Sequence, residues 1–173
     1  MKKLTVYLIV LSLSVLFFGC PYTSSVPIDK PSVKVNSKMF GIWQAGESTK
    51  YEVMQNDAFT YKINQLADST SEQGKEKPGS NDITMYDGHV SQINNIYFLN
   101  VKNSSPNGFL ENGDYYLYKI DFTNDKSFTL TEVTTYIKEK FDNSEDLKNY
   151  IKKYMDSGLS FFYGDAVVYT KLK

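Results

Sequence analysis

The chain has 173 residues, of which 41% are hydrophobic and 15% aromatic, enough apolar side chains for one domain with its own core. Its 19 basic residues are all lysine and are balanced by 20 acidic residues, so the formal net charge is −1 at pH 7. Arginine supplies bidentate contacts to phosphate and guanine, and a chain without arginine or a basic block is not expected to bind nucleic acid. The aromatic content is dominated by 14 tyrosines and 11 phenylalanines, which favour strands over helices.

The N-terminus has the layout of a secretory signal peptide. Lys2 and Lys3 give it a positive start, and an uninterrupted uncharged, mostly apolar run follows from residue 4 to residue 18. A permanent membrane-spanning helix needs about 20 apolar residues, so this shorter run fits a signal peptide that ends at a small residue. Gly19 is that small residue, and Cys20, the only cysteine, follows directly.

The stretch Phe17-Phe18-Gly19-Cys20 resembles the lipobox of bacterial lipoprotein precursors, in which a small residue precedes the cysteine that is diacylated. The resemblance implies that residues 1–19 are removed and that Cys20 is the lipid attachment site, neither a catalyst nor a redox centre. It also implies a lipid-anchored protein of the bacterial cell envelope, and Pro21 in place of Asp favours the outer membrane. The alternatives are an ordinary secreted protein that is cut nearby and an uncleaved anchor.

The segment after the cysteine is rich in proline, which stands at positions 21, 27 and 31. Prolines at this density keep a chain extended and non-helical, as in a spacer. We therefore expect residues 20–37 to form the lipidated cysteine and an extended tether, and residues 38–173 to form a single β-rich domain.

The predicted domain opens with Gly41-Ile42-Trp43, which contains the only tryptophan. This Gly-x-Trp resembles the signature of lipocalins, in which the tryptophan closes the base of a small antiparallel barrel. The resemblance implies a lipocalin-like barrel with Trp43 at its closed end.

Alternation of apolar and polar residues predicts the strands that follow. The predicted strands are 51–55, 58–64, 85–93, 96–101, 116–122, 127–134 and 166–172. The continuous apolar run of 96–101 predicts a strand that is buried on both faces, and Asp87-Gly88 predicts a turn or bulge. Seven or eight short strands indicate a small antiparallel barrel, with a β-sandwich as the alternative.

One segment breaks this alternation and predicts a late helix at about 144–157. Its apolar residues Leu147, Tyr150, Ile151 and Tyr154 recur at helical spacing. We expect this stripe to pack on the barrel wall, and binding of a partner is the alternative. A helix before the closing strand also resembles the order of elements in lipocalins.

Candidate catalytic and metal-binding residues are few. His89 is the only histidine, which excludes a metal site with two histidine ligands, and the chain has no Gly-x-Ser-x-Gly nucleophile elbow. We interpret His89 as a strand-edge or turn residue. The acidic groups at 111–114 and 142–146 lack the ligand order of an EF-hand. No catalytic residue, metal or cofactor is therefore predicted, and the chain is not expected to be an enzyme.

Two long polar loops, 68–81 and 103–114, are candidates for a functional role. The second loop contains the apolar pair Phe109-Leu110, which either covers a pocket, contacts a partner or folds back on the core.

Two functions from different classes remain. The first is non-enzymatic binding of a small apolar or amphipathic ligand inside the barrel, with tyrosine and phenylalanine side chains at its mouth. The second is a protein-interaction lipoprotein with a packed core, acting as an enzyme inhibitor or as a component of an envelope assembly. An eight-stranded barrel has room for one small ligand at most, so the filling of its interior bears directly on this choice.

Overall fold

A computed structural model describes residues 22–66, 84–105, 114–133, 137–155 and 163–172. The strands in these ranges are β1 (Thr23–Ser24), β2 (Gly41–Ala45), β3 (Thr49–Gln55), β4 (Thr60–Leu66), β5 (Met85–Ile93), β6 (Ile96–Asn103), β7 (Tyr115–Asn124), β8 (Ser127–Val133) and β9 (Tyr163–Lys171). A short 3-10 helix (Ser37–Met39) precedes β2, and helix α1 (Ser144–Met155) lies between β8 and β9.

Several predicted features lie outside the described residues. They are the signal segment, Cys20, the loop at 68–81 and the pair Phe109-Leu110. Within the ranges that the structure describes, no helix has the length and apolar character needed to cross a bilayer.

Strands β2 to β9 form a closed antiparallel barrel. Their order is β7-β6-β5-β4-β3-β2-β9-β8, and β8 pairs again with β7 to close the sheet. The ninth strand, β1, adds to β7 with Thr23 opposite Tyr116 and Ser24 opposite Tyr115. The predicted lipocalin-like barrel with one late helix is confirmed, and the sandwich alternative is wrong because all eight strands belong to one closed sheet.

The inward-facing side chains form the first of two hydrophobic cores. The alternation of each strand places every second residue inside, and residues from β2 to β8 are joined there by Met39 of the 3-10 helix. The buried members are Met39, Trp43, Val53, Tyr61, Ile63, Val90, Leu99, Val101, Ile120, Phe128 and Leu130.

The second core lies on the outer face of the barrel, under α1. Leu147 and Ile151 of the helix are fully buried in a cluster with Phe98 and Leu117, which point outward from β6 and β7. Leu99, the neighbour of Phe98, belongs to the interior core. Strand β6 is therefore buried on both faces, as its apolar run predicts, and the expected packing of the helix on the barrel wall is confirmed.

Part of the predicted tether belongs to the folded domain. The backbone N–H of Tyr22 donates to the carbonyl oxygen of Val133 at 3.1 Å, and β1 follows at once. Tyr22 is 6% exposed and Ile28 is fully buried in the outer core. Residues 22–29 thus pack on the barrel, with bends at 25–26 and 28–29 after β1, because two apolar side chains bury surface there. A free spacer over all of 20–37 is not what the structure shows.

The predicted turn or bulge at Asp87-Gly88 is wrong, since β5 runs through it in regular register. Gly88 lies opposite Tyr61 on one side and Val101 on the other. A Cβ atom at Gly88 would lie 3.1 Å from Cδ1 of Ile63. The glycine therefore permits close packing inside the barrel and does not redirect the chain.

Candidate functional site

Trp43 lies at one end of the barrel interior and is 2% exposed. The 3-10 helix before β2 brings the carbonyl oxygen of Met39 to 2.8 Å from the indole Nε1, which donates a hydrogen bond to it. The Trp43 ring also packs edge-on against Phe128 at 4.5 Å, and Nζ of Lys171 lies 5.3 Å from the ring centroid. Trp43 lines both the interior cavity and a surface depression beside Lys38, so it separates the two. This floor position is the one that the Gly-x-Trp resemblance implies.

A cavity of about 170 Å³ occupies the interior next to Trp43. Its apolar lining is Met39, Trp43, Val53, Ile63, Leu99, Val101, Phe128 and Leu130. Apolar cavities of about 150 Å³ in proteins hold one benzene molecule. The interior is therefore not completely packed, and it has room for one compact group about the size of an aromatic ring.

One wall of the cavity is a row of four aromatic rings from four strands. Phe128 of β8 contacts Trp43 of β2 and stacks on Tyr169 of β9, with 5.0 Å between the centroids of the stacked pair. Tyr169 in turn lies 5.9 Å from Tyr51 of β3. The row runs from the buried floor to half-buried tyrosines and presents a continuous aromatic surface to a ligand.

Five tyrosines, which we call the tyrosine rim, complete the lining. They are Tyr51, Tyr86, Tyr116, Tyr118 and Tyr169. All five are half-buried, whereas the apolar lining residues are buried, so the rim lines the part of the cavity that reaches solvent.

Four of the rim hydroxyls remain protonated and open to hydrogen bonding. Burial raises the pKa of Tyr51, Tyr86, Tyr118 and Tyr169, and neighbouring tyrosines raise three of these values further. Within the described part of the chain, these four hydroxyls have no hydrogen-bond partner. Each is therefore a neutral donor and acceptor at the cavity that a ligand can engage.

A carboxylate lies beside the rim. Glu132 of β8 is directly opposite Tyr118 of β7, so it shares the inward face of the barrel with that tyrosine. It is half-buried, and its charge acts on both Tyr118 and Tyr169 by raising their pKa values after the larger effect of burial. One negative charge thus lies next to the tyrosines that line the cavity, although Glu132 is not itself a lining residue.

His89 is not part of the cavity or the tyrosine rim, because it lies on the outer face of the barrel. It is 4% exposed in the middle of β5, and its ring Nε2 lies 2.7 Å from the carbonyl oxygen of Asp29, to which it donates. The Asp29 carboxylate pairs with Lys148 of α1 at 2.7 Å, and the Tyr115 ring packs edge-on against the imidazole. The histidine holds the N-terminal segment to the barrel and is not a strand-edge or turn residue. Among the described residues, no group of three or more His, Cys, Asp or Glu side chains is placed to hold a metal ion.

Lowering the pH from 7 to 5 is expected to destabilise the domain through His89. Burial lowers the pKa of His89 from 6.5, against the smaller opposing effect of Asp29. Below about 6.5 the unfolded chain takes up a proton that the folded chain does not, so the free energy of unfolding falls, by at most about 1.4 kcal/mol per pH unit. Urea titrations at several pH values measure this slope. His89→Gln, which keeps a donor for Asp29, should flatten it between pH 5 and 6.5, and an unchanged slope would rule out the histidine as its source.

The sequence did not single out Tyr118 and Glu132 as site residues. It placed Tyr116 and Tyr118 on one face of a strand, but without a cavity that face indicates core. The usable signal is Glu132, which continues the inward series of Phe128 and Leu130. A charged residue at an inward position of a barrel strand indicates a lined opening and not a filled core.

Comparison of the chain with models of known families, with characterised proteins and with solved structures found no significant match.

Proposed function

We propose that the chain is a membrane-anchored lipoprotein of the bacterial cell envelope, attached through Cys20, whose barrel binds a small amphipathic ligand without catalysis. The observation that carries the proposal is the cavity of about 170 Å³, which has an apolar floor and a half-buried tyrosine rim. An apolar body fits against the floor, and a polar head meets the rim hydroxyls, four of which have no hydrogen-bond partner among the described residues. The lipobox-like stretch before and at Cys20 supports the anchor and its envelope location, with the outer membrane favoured by Pro21.

The size of the cavity limits the class of ligand. Pockets for drug-sized molecules usually measure about 300–1,000 Å³, well above the volume found in this barrel. A long acyl chain does not fit in this volume, whereas a single ring or a short branched chain does. We therefore restrict the proposed ligand to a compact molecule with one polar end.

The proposal predicts two mass-spectrometric results for a chain expressed with its own N-terminus in a bacterial host. Denatured protein from the membrane fraction should begin at Cys20 and carry the mass of a diacylglyceryl group, and Cys20→Ser should lack this mass. Native spectra of the soluble form 21–173, which contains every described contact, should show a stoichiometric small molecule after gel filtration.

A matched pair of variants tests where that molecule lies. Val101→Phe adds a ring inside the cavity and should abolish retention, while Thr129→Phe adds a ring to the outer face of β8 and should leave retention unchanged. Retention by both variants would contradict binding inside the barrel. An apo mass for the wild-type protein, together with envelope crosslinks to another protein, would instead favour the interaction lipoprotein.

A further inference from the structure

We propose that the polar head of the ligand is a cation, either a protonated amine or a quaternary ammonium, held by Glu132 and the tyrosine rim. This inference rests on the proposed ligand-binding function and specifies the chemistry of the same site.

A carboxylate lies beside the tyrosine rim. Glu132 faces inward opposite Tyr118, and it is the ionised group that acts electrostatically on both Tyr118 and Tyr169. No lysine of the described residues shifts the pKa of either tyrosine. The inward lysine of β9, Lys171, lies at the floor end, where its Nζ donates to the carbonyl oxygen of Lys38 at 3.0 Å. The rim therefore has a negative charge beside it, and that charge has no positive partner among the described residues.

The rim tyrosines also supply aromatic rings that can bind a cation. Cations are attracted to the faces of tyrosine rings within about 6 Å of the centroid, and cages of several rings recognise ammonium groups. The ring centroids of Tyr51 and Tyr169 lie 5.9 Å apart with their planes tilted by 45°, and Tyr118 lines the same cavity. Burial raises the pKa of Tyr51, Tyr118 and Tyr169, so these phenols add no negative charge but supply ring faces and hydroxyl oxygens.

Other head groups fit the opening less well. An anionic head would meet the Glu132 carboxylate, and like charges close together in a partly buried site repel. A neutral hydroxyl would bond to the phenols but would leave the half-buried Glu132 carboxylate without a positive partner among the described residues. A cationic head interacts favourably with both the Glu132 carboxylate and the rim tyrosines, while the apolar body of the ligand packs against Trp43 and Phe128.

Three probes of similar size separate these cases: 2-phenylethylamine, which is cationic, 2-phenylethanol, which is neutral, and phenylacetate, which is anionic. Titration of the soluble form 21–173 by calorimetry, and by the fluorescence of Trp43 in the cavity floor, measures the three affinities. The amine should bind about tenfold more tightly than the alcohol, and phenylacetate should bind most weakly.

Variants of the carboxylate test its role directly. Glu132→Gln should weaken binding of the amine about tenfold and leave the alcohol within about twofold. Glu132→Lys should reverse the order and favour phenylacetate. The control Glu52→Gln makes the same change on the outer face of β3, opposite Asn64, and should alter none of the affinities.

The outcomes distinguish this inference from the proposed function. Equal affinity for amine and alcohol, or an unchanged amine affinity in folded Glu132→Gln, would overturn the cationic head while leaving ligand binding in place. Binding of none of the three probes, with no small molecule retained by the native protein, would overturn both. Loss of amine preference in Glu132→Gln alone, with the control unaffected, would support the inference.

Discussion

Replacing Trp43 with alanine is expected to lower the free energy of unfolding by about 3–5 kcal/mol, which is a large effect for a single substitution. The indole is 2% exposed, it is in edge contact with Phe128, and it donates a hydrogen bond to Met39. Its loss removes buried area, leaves the Met39 carbonyl without that donor, and joins the cavity to the surface depression on the other side. Urea unfolding of the form 21–173, followed by far-ultraviolet circular dichroism, measures the change.

Two variants show which part of the Trp43 interaction matters. Trp43→Phe keeps an aromatic ring but loses the hydrogen bond, so we expect an intermediate cost of about 1–3 kcal/mol. Phe122→Ala removes a ring that lies near the same end but is 44% exposed, and it should cost less than about 1 kcal/mol. If Trp43→Ala were no worse than Phe122→Ala, Trp43 would not be the structural floor of the barrel.

Replacing Asn100 with alanine is expected to cost about 2–3 kcal/mol, although the side chain lies outside the barrel. Asn100 is fully buried on the outer face of β6. Its Oδ1 accepts from the backbone N–H of Ile28 at 2.8 Å, and its Nδ2 donates to Oγ of Ser91 at 2.9 Å and to the carbonyl oxygen of His89. Alanine leaves the buried N–H of Ile28 unsatisfied, which is the costly half of a broken hydrogen bond.

The matched control is Asn149→Ala on the exposed face of α1, where alanine is the better helix former and stability should not fall. The cavity should be unaffected by Asn100→Ala, so ligand affinity in the folded variant should match that of the wild-type protein. Hydrogen exchange should increase first in residues 22–29, which Asn100 holds to the barrel. A uniform loss of protection across all strands would show that the asparagine acts through the whole sheet and not through this segment.

The sequence predicts the barrel well because most of its strands alternate between apolar and polar residues. Tyr61 and Ile63 point inward as their spacing indicates, and Phe98 beside Leu99 marks the strand that is covered on both faces. The helix is predicted for the same reason, since Leu147 and Ile151 lie one turn apart on its buried stripe. The inward faces of the strands and the buried stripe of the helix depend on residues close in sequence, so the local spacing of apolar residues predicts them.

The N-terminal segment could not be assigned in this way. Its prolines predict an extended chain, but the described part contains several bends and ends in the 3-10 helix Ser37–Met39. Whether the segment lies free or packed depends on surfaces formed by residues far along the sequence. Ile28 is buried because Asn100 offers its N–H an acceptor and α1 covers its side chain. Nothing within 20–37 itself encodes that partner.

The candidate site depends on register in the same way. Tyr118 and Glu132 become neighbours only when β7 pairs with β8, and Tyr51 joins them only when the barrel closes through β2 and β9. The volume left inside follows from how all these side chains fill the closed sheet. Alternation predicts which residues point inward, but it does not predict how much space they leave.

The pairing of β1 with β7 limits how far the cavity can lie from the proposed membrane anchor. Thr23 lies opposite Tyr116, a member of the tyrosine rim, and only two residues separate Thr23 from Cys20. Three residue steps of extended chain span at most about 10 Å. Under the proposed lipidation, the barrel would be held directly against the headgroup layer, with its opening on the side of the anchor. Ligands would then arrive by diffusion along the bilayer surface, where amphipathic cations accumulate next to anionic lipids, and not mainly from bulk solution.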